Sequence, residues 1–209
     1  FHTGADHRLP KWHRTTARMT GVTGILLAAG SARRFGAPKL LQPLHHGLPV
    51  AAAAAQTLVQ VLPNTRAVVK PGDHALIEVF TELGIQIIEN PRADEGMGTS
   101  LAAGVSASDS TMTDGWLIAL ADMPWIQPTT ISALTDRLDK GASIVAPVHT
   151  GRRGHPVGFS SNWFQSLAEL RGDKGARDLI AENADAVDLL TTTDAGVLRD
   201  VDYPDDLYR

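Results

Sequence analysis

The chain reads as a single α/β domain whose central sheet is mostly parallel, with helices on both faces. Three observations predict it. Strand-like and helix-like segments alternate from Val22 to Pro147, the order that builds a parallel sheet through helical crossovers. The 209 residues fit one domain of ordinary size, and 43% hydrophobic against 20% charged residues supply a full core. No internal repeat and no long linker divides the chain, and the alanine run Ala51–Ala55 fits a tight helix–sheet contact.

Each element has its own signal. Val22–Leu27 is an apolar run that reads as a buried strand. Pro49–Leu62 is alanine-rich and helical, with Pro49 suited to a first turn. Ala67–Val69 is a short strand. Asp73–Leu83 is a helix, capped by Asp73 and stopped by Gly84. Strand Ile85–Ile88, helix Thr99–Ser106, strand Trp116–Leu120, helix Pro128–Leu138 near a Gln127 cap, and strand Ser143–Pro147 follow. The last third departs from this pattern: Arg152–Phe159 reads as an irregular hairpin, and short helices follow near Asn162–Leu170 and Lys174–Asn183. The alternation makes the fold Rossmann-like, so a ligand belongs outside the carboxyl ends of the strands.

Phe1–Arg18 stands apart. It carries three of the eight histidines but no apolar periodicity and no apolar core of a signal peptide. It reads as an extension or tag remnant, with Met19 as a natural start and 19–209 as the folded domain; a metal site from His2, His7 and His13 is the other reading. A net charge of −4 argues against a nucleic-acid or anionic-membrane partner. Without cysteine, disulfides, thiolate metal sites and cysteine nucleophiles are excluded. No apolar stretch approaches the ~20 residues of a membrane span, which leaves the cytoplasm as the expected location.

Several segments fall at strand ends and carry chemistry. Leu27-Ala28-Ala29-Gly30-Ser31-Ala32-Arg33-Arg34-Phe35-Gly36-Ala37-Pro38-Lys39 leaves the first strand as a small-residue, basic loop. Such a loop can wrap polyphosphate, with Arg34 gripping oxygens bidentately and Lys39 acting as a point charge. It is neither a Walker A loop nor a Gly-x-Gly-x-x-Gly fingerprint, and it can also be a solvated basic loop. Asp122 ends an apolar strand, where it either holds a divalent cation or caps the turn before Pro124. Gly96-Met97-Gly98-Thr99-Ser100 enters a helix; Thr99 or Ser100 can cap it, and its amides can meet an anion or a base edge. Arg152-Arg153-Gly154-His155-Pro156 adds positive charge to the rim, with His155 open as a turn residue or a titrating group. Asp173 reads as a cap or a site carboxylate, and Asp202 as the cap of a helix started by Pro204.

Together these segments resemble the nucleotidyltransferases of molybdenum cofactor synthesis, most closely molybdenum cofactor cytidylyltransferase, a relative of the guanylyltransferase that makes the guanine dinucleotide form. The resemblance spans Thr23–Leu207. Leu27–Lys39 matches the opening signature Leu-Ala-Ala-Gly-x-Ser-x-Arg-Phe-Gly-x-x-Lys, with its serine directly after Gly30. Leu120-Ala121-Asp122-Met123-Pro124, Gly96–Leu101 and Gly154-His155-Pro156 add further matches.

The resemblance implies a fold of the nucleotide-diphospho-sugar transferase type and assigns roles residue by residue. Arg34, Lys39 and Asp122 become the catalytic set, with Mg2+ on Asp122 and Asp202. Leu27, Ala28, Ala29, Gly30, Ser31, Gly98, Thr99 and Ser100 line the nucleotide. Arg153, His155 and Asp173 face the acceptor. Ala29 favours the cytidylyl over the guanylyl subgroup, which carries a second glycine there. The implied reaction transfers CMP from CTP to the phosphate of the molybdenum-bearing molybdopterin and releases pyrophosphate, with a molybdoenzyme or its chaperone downstream. Two alternatives stay open: a GTP- or CTP-dependent enzyme for another acceptor, such as a sugar phosphate or phospholactate, and a non-catalytic cofactor-binding relative.

Overall fold

The computed structural model describes residues 21–30, 35–108 and 113–208. Ser31 and Arg34 therefore lie outside the described residues, as does the histidine-bearing extension.

Among the described residues, eight strands form a sheet through the centre. Strand β1 (Val22–Leu27) is buried along its whole length and lies between β2 (Thr65–Val69) and β4 (Gly115–Leu120), parallel to both. Beyond β2 lies β3 (Gln86–Glu89), also parallel. Beyond β4 comes β7 (Val157–Ser160), antiparallel, and then β5 (Ile144–His149). The two-residue β6 (Arg152–Arg153) pairs back onto β5. Strand β8 (Val187–Thr191) joins β5 in parallel. The sheet is mostly parallel as expected, and the expected hairpin resolves into β6 and β7, with β7 inserted between β4 and β5.

Side-chain alternation splits the core into two layers. Leu26, Ala67, Val69, Leu117 and Ala119 point to one face, where they meet α1 (Val50–Val61), α2 (His74–Glu82) and α4 (Pro128–Asp139). Ile25, Leu27, Val68, Trp116 and Ile118 point to the other, toward α3 (Met97–Ser106), α5 (Phe164–Ala168) and α6 (Arg177–Glu182). The alanines of α1 let that helix lie close to the sheet, since Ala51 and Ala55 are fully buried. Gly104 does the same for α3: a Cβ there would stand 2.7 Å from Ile25 Cγ2.

Helix ends differ from expectation in instructive ways. Asp73 caps α2 through Leu76 N–H, and Gly84 stops it at φ +73°, both as read from the sequence. Helix α3 starts at Met97 rather than Thr99, and neither Thr99 nor Ser100 caps it. Instead the Thr99 hydroxyl donates back to the Arg92 and Gly96 carbonyls. Asp173 does not cap α6, which begins only at Arg177. Ahead of the turn Pro204–Tyr208, Asp206 Oδ2 accepts from Asp202 N–H and Tyr203 N–H and so reaches back to the residues that lead into it. The strand β8 had no sequence signal strong enough to stand out: it is a half-exposed edge strand with no apolar run.

The start of α4 is held by a residue far along the chain. Asp194 is 4% exposed and accepts from Gln127 N–H, the Thr130 hydroxyl and Gly196 N–H. This begins a strap. Gly196 packs against the Trp125 carbonyl, where a Cβ would stand 2.1 Å away. Val197 O accepts from His155 N–H, the Arg199 guanidinium lies 4.2 Å over the Trp125 ring, and Val201 N–H donates to Asp122 O. Residues 194–201 are thus fastened along 122–127. Asp194→Ala leaves three donors, two of them buried, without their acceptor and should lower stability by about 3 kcal/mol in urea denaturation. A loss below about 1 kcal/mol would show that the strap does not depend on this carboxylate.

Candidate nucleotide and metal site

The strand order reverses between β2 and β4 on either side of β1, so the loops after β1 and β4 diverge and leave a crevice. A cleft of about 380 Å3 opens there. Its floor is Leu27, Ala28, Ala29 and Gly30 from the end of β1, and its walls include Lys39, Ser100, Asp122 and Asp173. Ala28 N–H is tied to Val68 O and Ala121 N–H to Leu27 O, which fixes both loops to the sheet edge. Among the described residues a Cβ on Gly30 would meet nothing within 4 Å. The space continues past Lys39 over the first turn of α2 as a second hollow of about 460 Å3.

Lys39 begins a single 3-10 turn, Lys39–Leu41, whose Leu40 and Leu41 pack on the core. Its ammonium donates to Asp122 Oδ2 at 2.7 Å and to Val201 O at 2.8 Å, and stands 3.5 Å from Asp202 Oδ1. Val201 is fully buried with Leu44, Val50, Ala53 and Leu207, so α1 holds the strap that presents this carbonyl. Asp206, bonded to the backbone N–H of Asp202, fixes the turn that carries the second carboxylate. The structure thus brings together Lys39, Asp122 and Asp202 from three distant parts of the chain. Asp200 joins them electrostatically: partial burial, then the Asp202 and Asp122 carboxylates, push its carboxyl above the usual range.

The donor set fits a hard divalent cation. Two carboxylates already straddle one cationic group, and oxygen ligands suit Mg2+ or Mn2+. Among the described residues no group of three or more His, Cys, Asp or Glu side chains is placed to hold a metal. A cation here needs phosphate oxygens or water to complete its shell, the usual arrangement for Mg2+ at a nucleotide.

The glycine segment before α3 has a packing role that its sequence did not disclose. A Cβ on Gly98 would stand 2.6 Å from Arg171 O, and one on Gly96 2.4 Å from the Gly172 carbonyl carbon. Gly96 also has φ +117°. Gly98 N–H donates to Gly172 O at 2.8 Å. These contacts seat the 171–173 loop and bring Asp173 to the cleft. Of the expected nucleotide residues here, Ser100 lines the cleft, while Gly98 faces that loop and Thr99 is buried behind it. Asn90, which sequence reading passed over, is 3% exposed and donates to both Thr99 Oγ1 and Ser100 Oγ at 3.1 Å. Its only sequence signal is its place just past a strand end.

The acceptor candidates divide. Asp173 lines the cleft. Arg153 lies exposed on β6, opposite Val148 on β5 and outside the cleft wall. His155 is seated on the strap, because Gly154 has no Cβ to strike Val197 O. Its Nδ1 is buried with no hydrogen-bond partner among the described residues. Burial pushes its imidazole below the ordinary value near 6.5; Asp122 draws it back up, and Arg153 and Arg177 push it down. Arg177 is therefore a neighbour of this site that sequence reading left in its loop-to-helix segment.

Comparison with known proteins finds relatives in sequence and in fold. Residues 24–187 match the family described as MobA-like NTP transferase domain. The chain is 32% identical over 197 residues to nicotine blue oxidoreductase of Paenarthrobacter nicotinovorans, covering 90% of this chain and 95% of that one. It is 29% identical over 194 residues to purine catabolism protein PucB of Bacillus subtilis (strain 168), covering 88% and 92%. The crystal structure of Rv0371c from Mycobacterium tuberculosis H37Rv superposes with TM-score 0.77 at 26% identity, covering 90% of this chain and 96% of that one. A complex of Rv0371c with manganese superposes with TM-score 0.68, again at 26% identity, covering 85% and 89%.

The lowered basicity of His155 has a consequence for stability. The unfolded chain takes up the proton near pH 6.5, while the folded chain resists it. The contribution is fully present above that pH and is lost as pH falls through it toward the lower folded value. His155→Gln should therefore flatten the stability profile between about pH 7 and pH 5, measured by denaturant titration at each pH. Parallel profiles for the two proteins would show that another group titrates.

Proposed function

The chain belongs to the MobA-like NTP transferase family, and on that premise we propose that it transfers CMP from CTP to the terminal phosphate of the molybdenum-bearing molybdopterin. The carrying observation is the meeting of Lys39, Asp122 and Asp202 at the mouth of the cleft after β1 and β4. In this reading an acceptor phosphate oxygen attacks the α-phosphorus of CTP. The bond from that phosphorus to the bridging oxygen breaks, and pyrophosphate leaves with the electron pair. No covalent enzyme intermediate is needed.

The protein's part is positioning and charge. Leu27–Gly30 supply a close-fitting backbone floor, and Arg34 and Lys39 take the triphosphate. Ser100, held by Asn90, borders the nucleoside with Gly98 and Thr99 behind it. His155, Asp173 and Arg153 serve the acceptor side. Asp122 and Asp202 would hold Mg2+, which when bound neutralises phosphate charge and orients the oxygens around the α-phosphorus. The manganese complex of Rv0371c supports a divalent ion of this kind. Ala29 supports cytosine over guanine, because the guanylyl subgroup carries glycine at that place.

A second reading has one specific support, the 32% identity to a protein named for oxidoreduction of nicotine blue. The loop after β1 lacks the glycine spacing of a dinucleotide-binding turn, so transfer is the better-supported chemistry.

The test is pyrophosphate release with CTP, GTP, ATP or UTP, each with Mg2+ and molybdopterin cofactor. CTP should give the highest rate, and Asp122→Asn should lower it by about 100-fold or more. No release with any nucleotide, or near-normal release by Asp122→Asn, overturns the reading.

A further inference from the structure

The inference rests on the nucleotide–metal reading of the cleft and concerns how that site is loaded. We propose that the Lys39 ammonium and the divalent cation compete for the Asp122–Asp202 carboxylate pair, so that the nucleotide-free protein keeps its metal site closed with its own lysine.

The geometry carries this. An ammonium has three N–H donors and no acceptor. In Lys39 two of them are engaged, by Asp122 Oδ2 at 2.7 Å and Val201 O at 2.8 Å, and the ammonium also stands 3.5 Å from Asp202 Oδ1. The ammonium is thus committed to both carboxylates. The lysine side chain is 15% exposed, against 24% for Asp122 and 34% for Asp202, so it sits deeper than the groups it bridges. A dication bound by the same two carboxylates would lie within a few ångströms of the ammonium. At that separation repulsion between positive charges is large and little screened. The two cations therefore exclude each other unless Lys39 moves away.

A triphosphate gives Lys39 somewhere to go. Its oxygens offer the ammonium a new anionic partner and offer the metal the ligands that two carboxylates cannot provide alone. The exchange keeps each charge paired: the lysine passes from carboxylate to phosphate as the metal takes the carboxylates. Metal and nucleotide then load together, and a metal ion arriving first finds the site taken.

The test uses Mn2+ alone with the nucleotide-free full chain, read by electron paramagnetic resonance of free Mn2+ and by calorimetry. Lys39→Met should bind Mn2+ about tenfold or more tightly than the unmodified protein. Lys39→Arg, which keeps the positive charge, should stay as weak as the unmodified protein. Adding Asp122→Asn to Lys39→Met should abolish the gain. If Lys39→Met leaves Mn2+ affinity unchanged or weaker, the lysine supports the site and the proposal falls. It falls equally if tight binding survives Asp122→Asn, because the ion then sits elsewhere. Should Lys39→Met fail to fold, Lys39→Gln carries the same comparison. Pyrophosphate release plays no part in this readout, so its failure leaves the transferase reading standing, and the reverse holds too.

Discussion

A single ammonium group ties the molecule together where its chemistry is concentrated. Lys39 lies 83 residues from Asp122 and 162 from Val201, and it binds both. Nothing in either neighbour's own strand or turn would hold them in place without the layers beneath. Asp122 is aimed by β4, which is buried between β1 and β7. Val201 is aimed by the strap, which is fastened at Asp194, Gly196, Val197 and Arg199 before it reaches the site. The ammonium thus closes a loop of constraints that runs through both halves of the chain. Chain segments with opposite charge meet there because the fold forces them together, and their pairing in turn locks the fold's last segment to its sheet.

Legibility followed the range of the forces involved. Strand β1 is evident in the sequence because six consecutive buried positions leave no other use for Val22–Leu27. Asp73 and Gly84 are evident because caps and stops act within one turn of chain. Asp122 is evident because a carboxylate after an apolar strand needs a partner. By contrast, the α4 cap comes from Asp194, 67 residues beyond Gln127, and no local pattern announces it. Asn90 escaped for the same reason: its partners Thr99 and Ser100 come from the next helix. The β8 strand escaped because an edge strand facing water on one side has little apolar signature. Asp202 was legible as a candidate only through resemblance, since read locally it looked like a helix cap.

The two faces of the sheet divide the labour. The face carrying α1, α2 and α4 supports Lys39 and the strap, and so the charged end of the cleft. The opposite face carries α3, α5 and α6, and so the wall with Ser100 and the loop with Asp173. The period-two alternation of β1 and β4 feeds both at once, which makes these two strands the common frame for both walls of the site.

The glycines before α3 join what would otherwise be separate walls. Because Gly98 and Gly96 touch the backbone of Arg171 and Gly172 with no side chain between, the wall that carries Ser100 and the Asp173 loop form one seam. A change in one cannot be absorbed by a shift of a flexible side chain; it must move the other backbone. A side chain added at either glycine would therefore displace the opposite loop, and with it the carboxylate that loop brings to the cleft.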